Sequence, residues 1–268
     1  VKRVVIGTVA CALALSTTPA QAYAPPPRTE VSVRDAGGAN FSWNSQVAPA
    51  LSLIKLPLGY WVLYHGSDED KALVEPMIQR SDDGIATYLN QKYPSAIGDV
   101  VRDLGMMETE VAPFWGNCRM SMADVTYFLH RTASDPVAEP LRQGMRQAAP
   151  IAADGNPQNY GTATLPGVEG TKFGWSDDRK SMNATASFGP GFTVAARTIG
   201  PAEQLTADVQ GVSLPGKAPA PWPGAPVPGA PQPAAPNLFG SVEIPGVALP
   251  VIPLPTLPPL SPAPLSSY

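Results

Sequence analysis

The sequence predicts an α+β fold: an antiparallel sheet built from an N-terminal hairpin and a C-terminal three-strand meander, packed with a trimmed helical region and followed by a disordered, proline-rich tail. Three observations carry this. Short alternating segments open the chain after residue 30, helical patterns fill the middle, and segments rich in Thr, Val, Ala and Gly close it before residue 215. That order fits one domain if the first and last strands share a sheet and the helices pack against it. The 268 residues include 33 prolines, and 17 of these fall in residues 215–268, where only Lys217 and Glu243 are charged. Such density excludes regular helix and central strand, so the fold lies upstream.

Each element has its own local reason. Lys2 and Arg3 precede an apolar run, Val4 to Leu15, and then Ala20-Gln21-Ala22. This is the pattern of a secretory signal peptide over residues 1–22. A transmembrane anchor is the alternative, but the run is too short to span a bilayer unaided. A lipoprotein site at Cys11 is a further alternative, with Thr8 where such a site wants a Leu-like residue. Residues 23–30, with Pro25-Pro26-Pro27, read as an extended leader to a domain over residues 31–214. Val31 to Val33 and Asn40 to Trp43 alternate around Gly37-Gly38, a hairpin signal. Val47 to Tyr64 is too long an apolar run for a strand and reads as a buried helix, with Pro57 tolerated only near its start. Helices follow over Asp68–Arg80, Gly84–Gln91, Ser95–Leu104, from Ser121, and over Asp135–Ala149. Gly161–Trp175, Asn183–Ile199 and Glu203–Leu214 read as three strands, with turns at Gly189-Pro190-Gly191 and Gly200-Pro201.

Composition narrows the chemistry. The net charge of −4 becomes −6 once Lys2 and Arg3 are removed, which argues against a nucleic-acid partner. Cleavage would leave Cys118 as a lone cysteine, so neither an internal disulfide nor a cysteine-based metal site is expected, and no cofactor is implied. The two histidines, His65 and His130, sit in no nucleophile-elbow or metalloprotease motif. Phe114 and Trp115 fall in a loop, where two aromatics serve either a ligand groove or core packing.

A serine without a nearby histidine can be activated by a lysine one helical turn away. Ser52-Leu53-Ile54-Lys55 has that spacing, which puts both side chains on one helix face; burial would lower the lysine's pKa. Ser81-Asp82-Asp83 follows a helix, and Lys172-Phe173-Gly174 lies in a strand. A Ser-x-x-Lys, then a Ser-Asp-x turn, then a Lys-x-Gly strand resembles the ordered signature of the serine β-lactamases and penicillin-binding proteins. The flanking text, Val31-Ser-Val-Arg-Asp-Ala, Phe41-Ser-Trp-Asn and Met77-Ile-Gln-Arg-Ser-Asp-Asp-Gly, is similar to class A β-lactamases. The resemblance runs from about Val31 to Val212, and is patchy between Glu108 and Gly170.

The resemblance implies roles. Ser52 would be the nucleophile and Lys55 its base. Ser81 would relay a proton to the leaving group, and Lys172 would attract a substrate carboxylate. The amides of Ser52 and Trp175 would form the oxyanion hole, and Asp83, Phe173 and Gly174 would contact substrate. A second Ser-Asp-Asp, at Ser176, follows the Lys-x-Gly strand and is the less fitting copy. The departures are equally specific. Asp83 stands where the family has Asn, and an ionised carboxylate cannot donate. Phe173 replaces a hydroxyl residue. No Glu-x-x-Leu-Asn element is present, and Glu108 and Glu110 lack the context of a deacylating base. The stretch between Lys55 and Ser81 is short, and neither a first helix before Val31 nor a last helix after Val212 is evident. Sheet surface should therefore be exposed, with the tail a candidate to cover it. The expectation is an exported serine hydrolase, weak or inactive, acting on a peptidoglycan-related peptide. The rival is a non-catalytic module binding a cell-envelope component or protein.

Overall fold

A computed structural model describes residues 23–215. The segment read as a signal peptide and the tail beyond Pro215 lie outside the described residues. The hairpin forms as expected from β1 (Thr29–Asp35) and β2 (Asn40–Trp43). Its turn uses Gly38 at φ +88°, and Asp35 Oδ1 accepts from the Ala39 amide at 2.9 Å. β1 starts two residues inside the predicted leader.

The apolar run after it divides. Ala48–Pro49 forms a short strand, β3; Leu51–Ile54 forms a 3₁₀ turn; only then does α1 (Lys55–His65) begin. The expected single helix over 47–64 is interrupted because β3 pairs with a later strand and Leu51 takes φ +53°. Pro57 sits in the first turn of α1, where its missing N–H is harmless. The Asp68–Arg80 segment splits into α2 (Asp68–Lys71) and α3 (Val74–Gln79). Then come α4 (Asp83–Lys92) and α5 (Ala96–Leu104), the latter stopped by Gly105 at φ +70°. Two short strands, β4 (Thr109–Glu110) and β5 (Arg119–Met120), lead to α6 (Met122–Arg131). Ser121 caps α6 by accepting from the Asp124 amide at 3.0 Å. α7 covers Glu139–Arg146.

The meander consists of β6 (Gly170–Trp175), β7 (Asn183–Gly189) and β8 (Phe192–Thr198). All pairing is antiparallel in the order β2-β1-β8-β7-β6, so the first and last strands do share one sheet, with Val31 opposite Ala196. Two expectations are corrected. Asn183–Ile199 supplies two strands, and Glu203–Leu214 is not a strand: Ala202–Val209 forms a last helix, α8. Leu205 and Val209, four residues apart, give it a buried face, and Pro201 stands just ahead of its first turn.

α8 removes the bare sheet face that a missing last helix would leave. Val31, Val33, Phe173, Val194 and Ala196 of the outer face pack with Leu205, Val209 and Tyr160. The inner face is lined by Ala184, Ala186 and Ala195, which belong to the larger core built on α1, α3 and α6. Small residues there let the nucleophile-bearing turn lie close to the sheet. Among the described residues no helix is long and apolar enough to cross a membrane, and none precedes β1.

Candidate active site

Ser52 lies in the 3₁₀ turn and Lys55 begins α1. Their spacing puts Lys55 Nζ 2.9 Å from Ser52 Oγ. The lysine is wholly buried and donates also to the Ser81 carbonyl oxygen at 2.8 Å and to Asp83 Oδ1. Its three N–H donors are thereby all engaged. Burial pushes the Lys55 pKa below the usual lysine value, while the Asp83 carboxylate pulls it back up.

Ser81 is the second meeting point. Its backbone takes φ +52°, in the left-handed region that a non-glycine residue seldom occupies. This conformation aims the carbonyl at Lys55 and lets Oγ accept from Lys172 Nζ at 2.6 Å. Lys172 reaches it from β6, is fully buried, and donates its other bond to the Phe173 carbonyl at 2.7 Å. Burial, and the nearby Lys55, hold its pKa well below the ordinary lysine value. Four side chains from three separate segments thus meet in one buried network. Of the two Ser-Asp-Asp copies, only the first meets a lysine. Ser176 Oγ instead donates to Asp178 Oδ1 at 2.7 Å.

In front of Ser52 opens a cleft of about 580 Å³, lined among others by Asp83, Trp115, Asp154, Trp175 and Arg179. Trp115 belongs to a 3₁₀ turn, Trp115–Asn117, held by α4: its amide donates to Asn90 Oδ1 at 2.9 Å and its indole N–H to Thr87 Oγ1 at 3.1 Å. That places the ring 4.6 Å from Lys55 Nζ, a cation–π contact over the lysine. Trp115 is thus both buried core and a wall of the cleft. Asp154 and Arg179 have no sequence signal as site residues. Asp154 Oδ2 accepts from the Trp175 indole at 2.9 Å, and Arg179, at φ +62°, donates to the Asp154 carbonyl at 2.6 Å. Of the four non-glycine residues at positive φ among the described residues, Leu51 adjoins Ser52, Ser81 shares Lys55 with it, and Arg179 lines the same cleft.

One expected contact is corrected. Phe173 does not enter the cleft: strand alternation turns it to the outer face, where it packs edge-on against Tyr160 with ring centroids 5.2 Å apart. Lys172 lies buried behind Ser81, with its Nζ donating to Ser81 Oγ. Glu108 and Glu110 do not line the cleft; Glu110 pairs with Arg119 at 3.2 Å. Among the described residues no group of three His, Cys, Asp or Glu side chains gathers to hold a metal ion.

Gly174 shows how tightly β6 approaches the nucleophile. A Cβ placed there would stand 3.0 Å from the Ser52 amide nitrogen and 3.0 Å from Leu51 Cβ. Gly174→Val is expected to destabilise the domain by about 1–3 kcal/mol through overpacking against backbone. It should also slow any reaction of Ser52. Thermal unfolding and serine labelling, measured on the same preparation, check both.

No protein-family model matches this chain, and no curated protein matches it either. Solved structures do. The β-lactamase from Streptomyces albus G aligns with a TM-score of 0.54 at 17% identity, over 68% of this chain and 90% of its own. Penicillin-binding protein D2 from Listeria monocytogenes, solved in its cefotaxime-bound form, gives 0.52 at 15%, over 68% and 94%. An ancestral class A β-lactamase gives 0.52 at 19%, over 68% and 90%. The chain has the fold shared by these serine β-lactamases and penicillin-binding proteins, in a divergent form.

Proposed function

We propose that this protein is an acyl-accepting serine protein, with Ser52 attacking amides or esters related to cell-wall peptide outside the cytoplasm. The observation that carries the reading is the buried network, with Lys55 Nζ at 2.9 Å from Ser52 Oγ and Lys172 Nζ at 2.6 Å from Ser81 Oγ. When Lys55 is neutral, its lone pair takes the Ser52 proton as Oγ bonds to the carbonyl carbon. The oxyanion is held by the Ser52 and Trp175 amides, which border one cleft. Collapse breaks the bond to the leaving group, which receives the Ser81 proton; Lys172 replaces it. Hydrolysis of the acyl-serine needs a positioned base. Asp83 is committed to Lys55, so turnover is slow and the acyl form accumulates.

A second reading, a non-catalytic module binding a cell-envelope component, is favoured by Asp83. Its carboxylate stabilises the charged form of Lys55, which cannot accept a proton. One experiment separates the two. Intact-mass spectrometry after incubation with an uncharged fluorophosphonate is expected to show one adduct on the wild type and none on Ser52→Ala. An unlabelled wild type, or equal labelling of the variant, rejects the nucleophile.

A further inference from the structure

Three charges that could meet a substrate at Ser52 are negative. Asp83, Asp154 and Asp177 border the cleft, all three exposed. Asp177 has no ion-pair partner among the described residues, whereas Asp83 faces Lys55 and Asp154 faces Arg179 at 3.7 Å. The opposing charges are poorly placed to greet an anion. Lys55 and Lys172 are fully buried, and each directs its N–H groups at protein acceptors. Arg179, the one cation on the cleft wall, already donates to the Asp154 carbonyl. A carboxylate entering here meets three exposed carboxylates, with Arg179 the one cation on the wall to offset them.

Aromatic rings line the same cleft. Phe114 is 45% exposed and lies 5.4 Å from Trp115, while Trp175 is half-buried and oriented by its indole bond to Asp154. Trp115 already serves a cation, Lys55, from within the protein. Exposed aromatic faces beside unpaired carboxylate are the chemistry that holds an ammonium group.

Building on the nucleophile reading above, we propose that this cleft selects acyl donors carrying a positively charged amine near the reacting carbonyl, and discriminates against carboxylates. Asp177 supplies the charge; Phe114 and Trp175 supply the rings. The substrate class is a cationic amino-acyl or peptidyl amide or ester.

The test uses three matched phenyl thioesters differing in one group: trimethylammonium, methyl or carboxylate. The full-length protein is expected to release thiophenol fastest from the cationic ester and slowest from the anionic one, by about tenfold between the extremes at low salt. The ratio should shrink as salt is raised. Asp177→Asn is expected to narrow it several-fold. The fluorophosphonate, which carries no charge, reports separately on Ser52. If it labels Ser52 while cationic and anionic esters react equally, or the anionic one faster, the selectivity is wrong and the nucleophile stands. If it fails to label, the nucleophile reading falls. The selectivity is then decided by binding alone: quenching of Trp fluorescence in Ser52→Ala by the matching amides. Tighter binding of the cationic amide supports the proposal, and equal or weaker binding overturns it.

Discussion

Replacing Glu30 by Ala is expected to destabilise the domain by about 3–5 kcal/mol, the usual cost of leaving one partner of a buried ion pair uncompensated. Glu30 and Arg197 face each other directly across β1 and β8, on the inner side of the sheet, and both are nearly inaccessible. Burial pushes the carboxyl pKa up and the guanidinium pKa down, and each charge opposes the other's shift. The guanidinium also donates to the carbonyls of Ala48 and Pro49 at 3.1 Å, Met120 at 2.8 Å and Gln46 at 2.9 Å. Glu30 in turn accepts from the Met122 amide at 2.7 Å. The pair therefore ties the main sheet to β3 and β5, and β3 leads directly into Leu51 and Ser52. For a domain of this size the loss corresponds to a fall in Tm of roughly 6–20 °C, readable by calorimetry. Joining Glu30→Met with Arg197→Met should not restore stability. Four carbonyls would still lose their donor, and unpaired buried acceptors are costly. Full recovery in the double variant would show that the pair acts alone and clamps nothing.

That clamp also marks where reading the sequence stops. The hairpin and the Ser52–Lys55 spacing are local patterns, and pattern is enough to reach them; that the first and last strands share a sheet follows from the order of the elements. Glu30 lies in a stretch that reads as a proline-rich leader, and nothing in its neighbourhood points to Arg197, 167 residues away. Trp115 is similar: its place over Lys55 depends on Thr87 and Asn90 of α4, which no spacing rule connects to it. α8 was hidden by composition, because Thr, Ala and Val suggest strand while Leu205 and Val209 carry the helical interval. Phe173 was legible in principle. Lys172 and Phe173 are neighbours on a strand, so their side chains must take opposite faces, and if the lysine points to Ser81 the phenylalanine cannot enter the same pocket.

Opposite effects are expected from Lys55→Met and Asp83→Asn on the rate at which a fluorophosphonate labels Ser52. Removing Lys55 deletes the group that takes the serine proton, and general-base removal lowers rates by about 10²–10⁴-fold. Asp83→Asn keeps the base and removes the charge that stabilises its protonated form. Desolvation is the larger influence on Lys55 and lowers its pKa, while the Asp83 carboxylate and its bond raise it. Without that carboxylate the pKa falls further, so more Lys55 is neutral at any pH below its titration. Labelling of the wild type should rise with pH as Lys55 loses its proton, and in Asp83→Asn that rise should move to lower pH. A downward shift of one unit multiplies the neutral fraction, and hence the rate at neutral pH, by about tenfold. Asp83 is largely exposed, so the amide fits without repacking, and circular dichroism should show both variants folded. Should Asp83→Asn instead slow labelling as much as Lys55→Met and abolish the rise with pH, Asp83 itself would be the proton acceptor and Lys55 a fixed cation beside it. The pH profile decides between them: a rise that survives in Asp83→Asn and is lost in Lys55→Met belongs to Lys55.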